Sequence, residues 1–193
     1  MRKFSAESLR SMLKRYRFVV IKPLVGTGGL GVIKIERLPH GRYRYHDANT
    51  QRTVGSFSTL VRRLNRIRKR REYMVQQGIE LVTIQGRPID YRVKLVKKGK
   101  GWAITAVVGR LARAGKFVTN LCRGGDMLGG YAALRRSFSQ RTARMKKATM
   151  QGVARTSTQL LEERYPGIGQ LGFDFGVDRQ GRIWIFEVNT RPH

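Results

Sequence analysis

Two runs of alternating apolar and polar residues near the end of the sequence constrain its fold more than any other stretch. They occupy residues 171–177 and 182–191 and flank a short polar turn. Alternation with a period of two on either side of such a turn predicts a β-hairpin. A turn centred on Arg179–Gln180 would pair Val177 with Arg182 and would give the hairpin one apolar face. The side chains predicted to form this core face are Leu171, Phe173, Phe175, Trp184, Phe186 and Val188.

The opposite face of the predicted hairpin carries Asp174, Glu187 and Asn189. Gly172 and Gly176 lie on either side of the aspartate and are expected to leave the space above its carboxylate open. Carboxylate and amide oxygens suit Mg²⁺, which proteins usually hold with one or two carboxylates, waters and substrate phosphates. This face is therefore a candidate site for a metal-bound nucleotide. The alternative is a hairpin whose solvent face is merely polar.

Length and composition indicate a globular chain. Its 193 residues, 40% of them hydrophobic, suffice for one substantial domain or two small ones. The sequence has no run of about twenty apolar residues, and its first residues lack the apolar segment of a secretory signal. A cytoplasmic location is expected. The single cysteine, Cys122, rules out an internal disulfide framework and a cysteine metal cluster.

The chain is strongly basic. It has 40 Lys and Arg against 12 Asp and Glu, a net charge of +28. Such an excess attracts nucleic acids, anionic surfaces or acidic substrates. Much of it lies in residues 62–71 and 135–147, which both have apolar residues three or four apart and are predicted helices. The alternative is that each charged run is only a solvated helix face.

A glycine-rich stretch follows the predicted strand Phe18–Pro23. Residues 24–31 contain four glycines, and a second strand follows them. Glycines let backbone N–H groups approach phosphate oxygens closely, and Lys22 at the strand end could add a point charge. The stretch is neither a Walker P-loop, since no Gly-Lys-Ser/Thr follows, nor a Rossmann turn, since no helix follows. An ordinary glycine-rich hairpin is the alternative.

Two further segments have candidate binding groups. A short apolar strand breaks at Gly78, where free backbone groups and the amides of the two preceding glutamines could bind an adenine edge. A predicted hairpin over residues 89–110 places Asp90 and Arg92 on one strand face, continued by Lys94. The alternative for that face is a weak surface ion pair.

The order of these motifs resembles that of the ATP-grasp superfamily. More narrowly, the sequence is similar to its YheC/YheD-type, spore-coat-associated branch, whose motifs run close to Asp-Ile-Arg, Thr-Asn-Leu-x-Arg-Gly-Gly and Leu-Gly-Ile-Asp-x-Gly-Ile-Asp. The resemblance extends from about Phe4 to Pro192, and the order and spacing of the motifs carry it. The matching segments are 20–32, 75–79, 90–92, Arg110, 119–125, Asp174 and 187–189.

The resemblance implies an α+β fold of the ATP-grasp type, in which two α+β subdomains with antiparallel sheets clasp the nucleotide. They would span approximately residues 16–75 and 76–193. ATP and Mg²⁺, with Mn²⁺ as a substitute, would be the cofactors. Because the superfamily normally has an N-terminal preATP domain and a second phosphate-binding lysine, the sequence is expected to be a fragment or to have an incomplete site.

The resemblance also assigns roles to individual residues. Phosphate binding and the flexible lid would fall to Lys22, Gly26, Gly28, Gly29 and Gly31. The adenine hinge would be Gln76, Gln77, Gly78 and Ile79, and Asp90 would lie near the ribose. The positions near the phosphates and acceptor would be Arg92, Arg110 and Asn120. The metal ligands would be Asp174, Glu187 and Asn189.

The function implied is ATP- and Mg²⁺-dependent carboxylate–amine ligation through an acyl-phosphate, with an unknown acceptor. The basic composition of the chain would suit an acidic acceptor, such as an acidic peptide or an anionic polymer. D-alanine ligases carry an arginine where this chain has Gly172, so a dipeptide ligase is not supported. Two alternatives remain at this point. One is a catalytically inactive, coat-associated structural protein that keeps the fold, in a spore-forming bacterium. The other is a basic nucleic-acid-binding protein.

Overall fold

The structure is a computed structural model that describes residues 1–26, 28–47, 50–119 and 124–192. The chain divides into two compact units, Met1–Ile79 and Glu80–His193. Each unit combines helices with an antiparallel sheet, which confirms the predicted α+β class. The boundary expected from the sequence, between 75 and 76, lies a few residues before the observed one.

The described residues of the first unit form six strands and two helices. The strands are β1 (Arg2–Lys3), β2 (Phe18–Pro23), β3 (Ile33–Arg37), β4 (Tyr43–His46), β5 (Gln51–Val54) and β6 (Tyr73–Gln77), and the helices are α1 (Ala6–Arg15) and α2 (Phe57–Arg68). All neighbouring strands are antiparallel, in the order β1-β6-β2-β3-β4-β5.

Serine caps begin both helices of this unit. Ser5 Oγ accepts a hydrogen bond from the Ser8 N–H, and the Ser5 N–H donates one to Ser8 Oγ, which completes a capping box. Ser56 Oγ accepts one from the Thr59 N–H. Apolar residues at helical spacing bury one face of each helix against the sheet. Fully buried side chains of this core include Leu9, Ile21, Ile33, Ile35, Leu60, Leu64, Tyr73 and Val75.

In the part of the second unit that the structure describes, there are six strands and two helices. The strands are β7 (Thr83–Ile84), β8 (Arg87–Lys98), β9 (Gly101–Leu111), β10 (Asp126–Gly129), β11 (Gln170–Val177) and β12 (Ile183–Asn189), and the helices are α3 (Gly130–Arg135) and α4 (Gln140–Arg164). The sheet runs antiparallel in the order β10-β9-β8-β11-β12, and β7 pairs with β8. The basic segment 135–147 is therefore not one helix, because Ser139 caps a new helix that continues to Arg164.

One face of the second sheet packs against α3 and α4. Because strand side chains alternate, the odd-numbered residues of β8 and β11 lie on this face and the even-numbered residues lie on the other. The buried residues of the two strands on the helix-covered face are Ile89, Tyr91, Val93, Leu95, Leu171, Phe173, Phe175 and Val177.

The predicted terminal hairpin is present, but its register differs from the prediction. Its loop has three residues and ends at Gly181, whose φ of 79° lies in the left-handed region. Val177 therefore pairs with Ile183, not with Arg182. A bulge then shifts the pairing between Asp174 and Phe175.

This register changes the predicted core face. Trp184 pairs with Gly176 and lies on the face of Asp174, and Phe186 covers Gly176, so neither joins the helix-covered core. Val188 shares the core face with Phe173 but is 38% exposed. Ile183 packs against the core in their place.

The space beside Asp174 is not open, contrary to the prediction. A Cβ at Gly172 would lie 2.5 Å from the Pro192 Cβ, and a Cβ at Gly176 would overlap the Phe186 ring and Leu81. The two glycines therefore accommodate close packing of later residues on the polar face.

Two glycine substitutions test this packing in opposite directions. Gly176→Ala should lower the free energy of unfolding by about 1–3 kcal/mol because the added methyl overlaps Phe186. Gly152→Ala, in open space within α4, should raise it by about 0.5–1 kcal/mol because alanine favours the helix. Urea denaturation measures both. A neutral Gly176→Ala would contradict the position of Phe186.

The hairpin turn should also make stability depend on pH. Asp178 is 2% exposed and accepts hydrogen bonds from Trp184 Nε1 and from the N–H and Nε of Arg182. Burial opposes ionisation, but these bonds outweigh it and lower the pKa of Asp178 below its ordinary value. A lowered carboxyl pKa stabilises the fold above about pH 4, and this contribution is lost as the pH falls towards the folded-state pKa.

Asp178→Asn should therefore destabilise the protein by about 1–3 kcal/mol at pH 7, and its difference from the parent should shrink between pH 5 and pH 3. Urea titrations at several pH values measure this. Glu163→Gln, which removes an exposed carboxylate on α4, is the control and should change stability by less than about 0.5 kcal/mol. A constant difference across this pH range would argue against the Asp178 contacts.

Candidate functional site

The polar face of the second sheet brings most of the predicted site residues of that unit together. Three rows of cross-strand neighbours lie on this face. Arg110, Asp90, Gly176 and Trp184 form the first row. Val108, Arg92, Asp174 and Glu187 form the second. Ala106, Lys94, Gly172 and Asn189 form the third.

Two arginines and two aspartates on this face form a continuous ion-pair network. Arg110 donates to both Asp90 oxygens, at 2.8 and 2.6 Å, and its Nη2 lies 3.0 Å from Asp174 Oδ2. Arg92 donates to both Asp174 oxygens, at 2.7 and 2.9 Å. Thr119 Oγ1 donates to Asp90 Oδ2 at 2.7 Å. Since the four charged groups come from three strands, the network joins β8, β9 and β11.

Most of the network is buried, so the ion pairs between its groups decide which of them are charged. Asp90 and Arg110 are each 4% exposed. Burial raises the pKa of Asp90, while the Arg110 guanidinium works in the opposite direction. Burial also works against the charged form of Arg110, but Asp90 and Asp174 outweigh it and raise the pKa of Arg110. Arg110 is thus a permanent cation between two carboxylates. The alternative interpretation of this strand face was a weak surface ion pair. The observed network differs from it, because Asp90 and Arg110 are buried and bonded at both carboxylate oxygens.

The predicted metal ligands lie on adjacent strands. Asp174 and Glu187 are direct cross-strand partners, and Asn189 Nδ2 lies 3.5 Å from Asp174 Oδ2. Glu187 is exposed, whereas Asp174 is 5% exposed and has both oxygens occupied by arginines. Among the residues that the structure describes, no group of three or more His, Cys, Asp or Glu side chains could hold a metal ion.

The remaining predicted site residues belong to the first unit. On β2 and β6, Ile21 and Val75 point into the core beneath the helices, so the alternating Lys22 and Gln76 lie on the other face of that sheet. Lys34 lies on the same face as Lys22. Lys34 was not singled out from the sequence. Its alternation with the apolar Ile33 and Ile35, in the strand after the glycines, indicates that it lies on this face.

The glycine-rich stretch between β2 and β3 is an exposed connection. Gly28, Gly29 and Gly31 have positive φ angles of 62°, 70° and 79°, which favour glycine. Val25 is 90% exposed. A side chain at Gly31 would also meet the Tyr73 hydroxyl at 2.5 Å. Backbone conformation and local packing therefore both account for the glycines, and their predicted role as a lid stays a prediction.

The predicted adenine hinge is partly occupied by the protein itself. Gln76 and Gln77 end β6, and the Gly78 N–H donates to the Phe18 carbonyl at 3.0 Å. The Gly78 N–H is thus not free for a base, contrary to the expectation. A side chain at Gly78 would overlap the Phe18 ring, which explains the glycine.

Asn120 and Cys122 lie outside the described residues. Thr119, directly before Asn120, was not singled out from the sequence, yet it completes the hydrogen bonding of Asp90. The signal was present, because Thr119 opens the Thr-Asn-Leu-x-Arg-Gly-Gly match.

Comparison with known proteins assigns the family. A family model described as YheC/D like ATP-grasp matches residues 1–193. The chain belongs to the YheC/D-like ATP-grasp family. It is 32% identical over 195 residues to the endospore coat-associated protein YheD of Bacillus subtilis, a match covering 97% of this chain and 42% of that protein. This YheC/D-like chain thus spans less than half the length of that curated relative.

Solved structures with the same fold confirm the predicted ATP-grasp architecture. D-alanyl-alanine synthetase A from Vibrio cholerae has a TM-score of 0.55 at 12% identity, over 96% of this chain and 47% of that one. N5-carboxyaminoimidazole synthase from Aspergillus clavatus has a TM-score of 0.52 at 12% identity, over 100% of this chain and 39% of that one. At these identities the likeness shows the fold alone.

None of the helices in the described part of this YheC/D-like chain combines the length and the apolar character needed to cross a membrane.

The buried network makes a prediction about stability. Arg110→Met leaves Asp90 and Asp174 without their shared cation and should lower the free energy of unfolding by about 3–5 kcal/mol in chemical denaturation. Adding Asp90→Asn should restore part of this loss, because one buried charge is removed.

Lys3→Met is the control for this prediction. It breaks the exposed Lys3–Glu72 pair and should cost less than about 1 kcal/mol. Equal losses for Arg110→Met and Lys3→Met would contradict the buried network.

Proposed function

We propose that this chain binds ATP together with a divalent metal ion and acts as an ATP-dependent carboxylate–amine ligase domain. The observation that carries the proposal is the grouping of Asp174, Glu187 and Asn189 on one face of β11 and β12, beside two arginines, in an ATP-grasp fold. Lys22 and the glycine-rich stretch are separately proposed as phosphate-binding groups.

Structures with the same fold support nucleotide binding. The Aspergillus clavatus enzyme is described as a complex with ADP and 5-aminoimidazole ribonucleotide, and a related structure from that organism as a complex with ATP. A shared fold does not establish a shared substrate, so the proposed acceptor is inferred from the net charge of the chain. A net charge of +28 suits an acidic peptide or an anionic polymer.

The donor set on the polar face fits Mg²⁺, with Mn²⁺ as a substitute. It has two carboxylates and one amide, and the Asn189 Nδ2 donates towards Asp174, which leaves the amide oxygen for another partner. Asp174, Glu187 and Asn189 would hold the ion. When bound, the metal would neutralise charge on the transferred phosphoryl group.

The protein's own residues supply the rest of the electrostatics. Arg92 and Arg110 orient the Asp174 carboxylate, and each guanidinium has donors in a planar fork that matches a phosphate as well as a carboxylate. Their positive charge lies where negative charge would grow during phosphoryl transfer. Because Asp90 holds Arg110 and Thr119 in turn holds Asp90, this charge is positioned before a substrate arrives.

A second function is favoured by the state of Asp174. Both of its oxygens are bonded to arginines, so a metal ion would have to share the carboxylate with a guanidinium or displace it. The related YheD protein is named as endospore coat-associated. The second proposal is therefore a spore-associated, coat-bound structural protein that keeps the fold without turnover. ATP-dependent ADP release in the presence of amines or acidic peptides distinguishes the two proposals.

Glu187→Gln tests the metal assignment. Since Glu187 is exposed, the substitution should leave the fold intact. It should raise the Kd for Mg²⁺-ATP by about tenfold or more, because even outer partners of metal ligands contribute 10- to 100-fold to metal affinity. The decrease in thermal stabilisation by Mg²⁺-ATP measures the effect.

Glu163→Gln is the matched control, because it removes the same charge from an exposed site on α4. It should leave the stabilisation by Mg²⁺-ATP unchanged. Equal stabilisation of Glu187→Gln and the parent would overturn the metal assignment, and no stabilisation of the parent would overturn nucleotide binding.

A further inference from the structure

An open groove lies between helices α1 and α2 of the first unit. Its volume is ≈ 670 Å³, and both helices contribute to its lining. The groove is separate from the predicted nucleotide face of this unit. The helices cover the face of the sheet that carries Ile21 and Val75, whereas Lys22 and Gln76 lie on the opposite face.

The lining is partly apolar. Phe57 and Val61 are one turn apart on α2 and half-buried, so they present a continuous apolar strip along the groove. The Arg10 guanidinium from α1 lies 4.2 Å from the centroid of the Phe57 ring. This cation–π contact holds the Arg10 charge over the Phe57 ring, within the lining of the groove.

The polar part of the lining provides hydrogen-bond donors, and none of its lining residues is acidic. Arg62 and Arg66 are exposed and one turn apart on α2, beside the apolar strip. Asn65 between them accepts a hydrogen bond from Arg68 through Oδ1 at 2.8 Å, which leaves its Nδ2 donor for the groove. In the described part of the chain, no carboxylate lies within ion-pair distance of Arg10, Arg62 or Arg66.

We propose that the groove is a docking site for an acidic amphipathic peptide segment of a partner protein. Apolar side chains of the segment would pack on Phe57 and Val61, while its carboxylates would pair with Arg10, Arg62 and Arg66. Guanidinium groups bind carboxylates bidentately, which gives both affinity and orientation. Residues 1–79 contain 19 Lys and Arg against 4 Asp and Glu, so long-range attraction also favours an acidic partner.

The apolar strip favours a peptide over a nucleic acid. Binding to a nucleic-acid backbone depends chiefly on contacts between phosphates and Lys or Arg, and it falls steeply as salt increases. Contacts to a duplex backbone make no use of the half-buried Phe57 and Val61 between the cations. A helix with one apolar and one acidic face uses both parts of the groove. The proposed docking contact is independent of the nucleotide binding proposed above.

Fluorescence anisotropy with the full chain tests the proposal. The probe is a fluorescein-labelled synthetic peptide of glutamate and leucine, with its leucines at helical spacing. Arg62→Glu should raise the Kd of this peptide about tenfold or more. It replaces a cation that would pair with a peptide carboxylate by an anion, and the new carboxylate would also pair with Arg66 one turn away on α2. Arg63→Glu makes the same charge change on the neighbouring exposed residue outside the groove and should raise the Kd less than about threefold.

The peptide and a second ligand provide the other readouts. Replacing the leucines of the probe by serine should weaken binding about tenfold or more. Equal effects of Arg62→Glu and Arg63→Glu, or equal binding of the serine peptide, would reduce the contact to nonspecific attraction and overturn the proposal. Tighter, Arg62-dependent binding of a duplex DNA with the same charge would overturn it in favour of nucleic acid. Circular dichroism checks that both variants keep their helices, and Arg62→Gln replaces Arg62→Glu if that variant does not fold.

Discussion

The arrangement of the second unit depends on a set of four charges, in which Asp90, Arg110 and Asp174 are buried and Arg92 is partly buried. Charges are costly to bury unless each is paired and hydrogen-bonded, and here every carboxylate oxygen accepts from a guanidinium. Because the partners stand on β8, β9 and β11, a slip of one residue in either pairing would move a charge to the apolar face. The network therefore specifies the register of the three strands as well as the chemistry of their polar face.

The same network would set the conditions for the nucleotide chemistry proposed for this face. Two guanidiniums and two carboxylates balance, so the centre of the polar face is nearly neutral although the chain carries +28. A metal–phosphate ligand brings charges of both signs, and it can exchange partners with such a cluster without leaving a buried charge unpaired. The exposed Glu187 and the arginine-bound Asp174 would then have different roles in metal binding, the first as an accessible ligand and the second as one that must be shared.

Sequence patterns predicted the long strands and the polar face, because alternation reports which side of a strand each residue occupies. They predicted one helix over residues 135–147, where the chain ends α3 and begins α4. They missed the exact pairing of the hairpin, since three-residue loops and bulges change the register without changing the alternation within each strand. They also suggested open space at Gly172 and Gly176, where Pro192 and Phe186 in fact pack, because a missing side chain does not reveal what fills its place. The pairing of Asp90 with Arg110 was hidden for a similar reason. The two residues are twenty positions apart, and only the cross-strand register brings them together.

Electron paramagnetic resonance of Mn²⁺ tests most directly whether the polar face receives a metal-bound nucleotide. The spectrum of Mn²⁺-ATP is recorded with and without the protein, and with Glu187→Gln in its place. A ternary complex predicts that the parent protein changes the line shape of Mn²⁺-ATP and that Glu187→Gln reduces this change. A Mn²⁺-ATP spectrum that is the same with and without the parent protein would contradict the account.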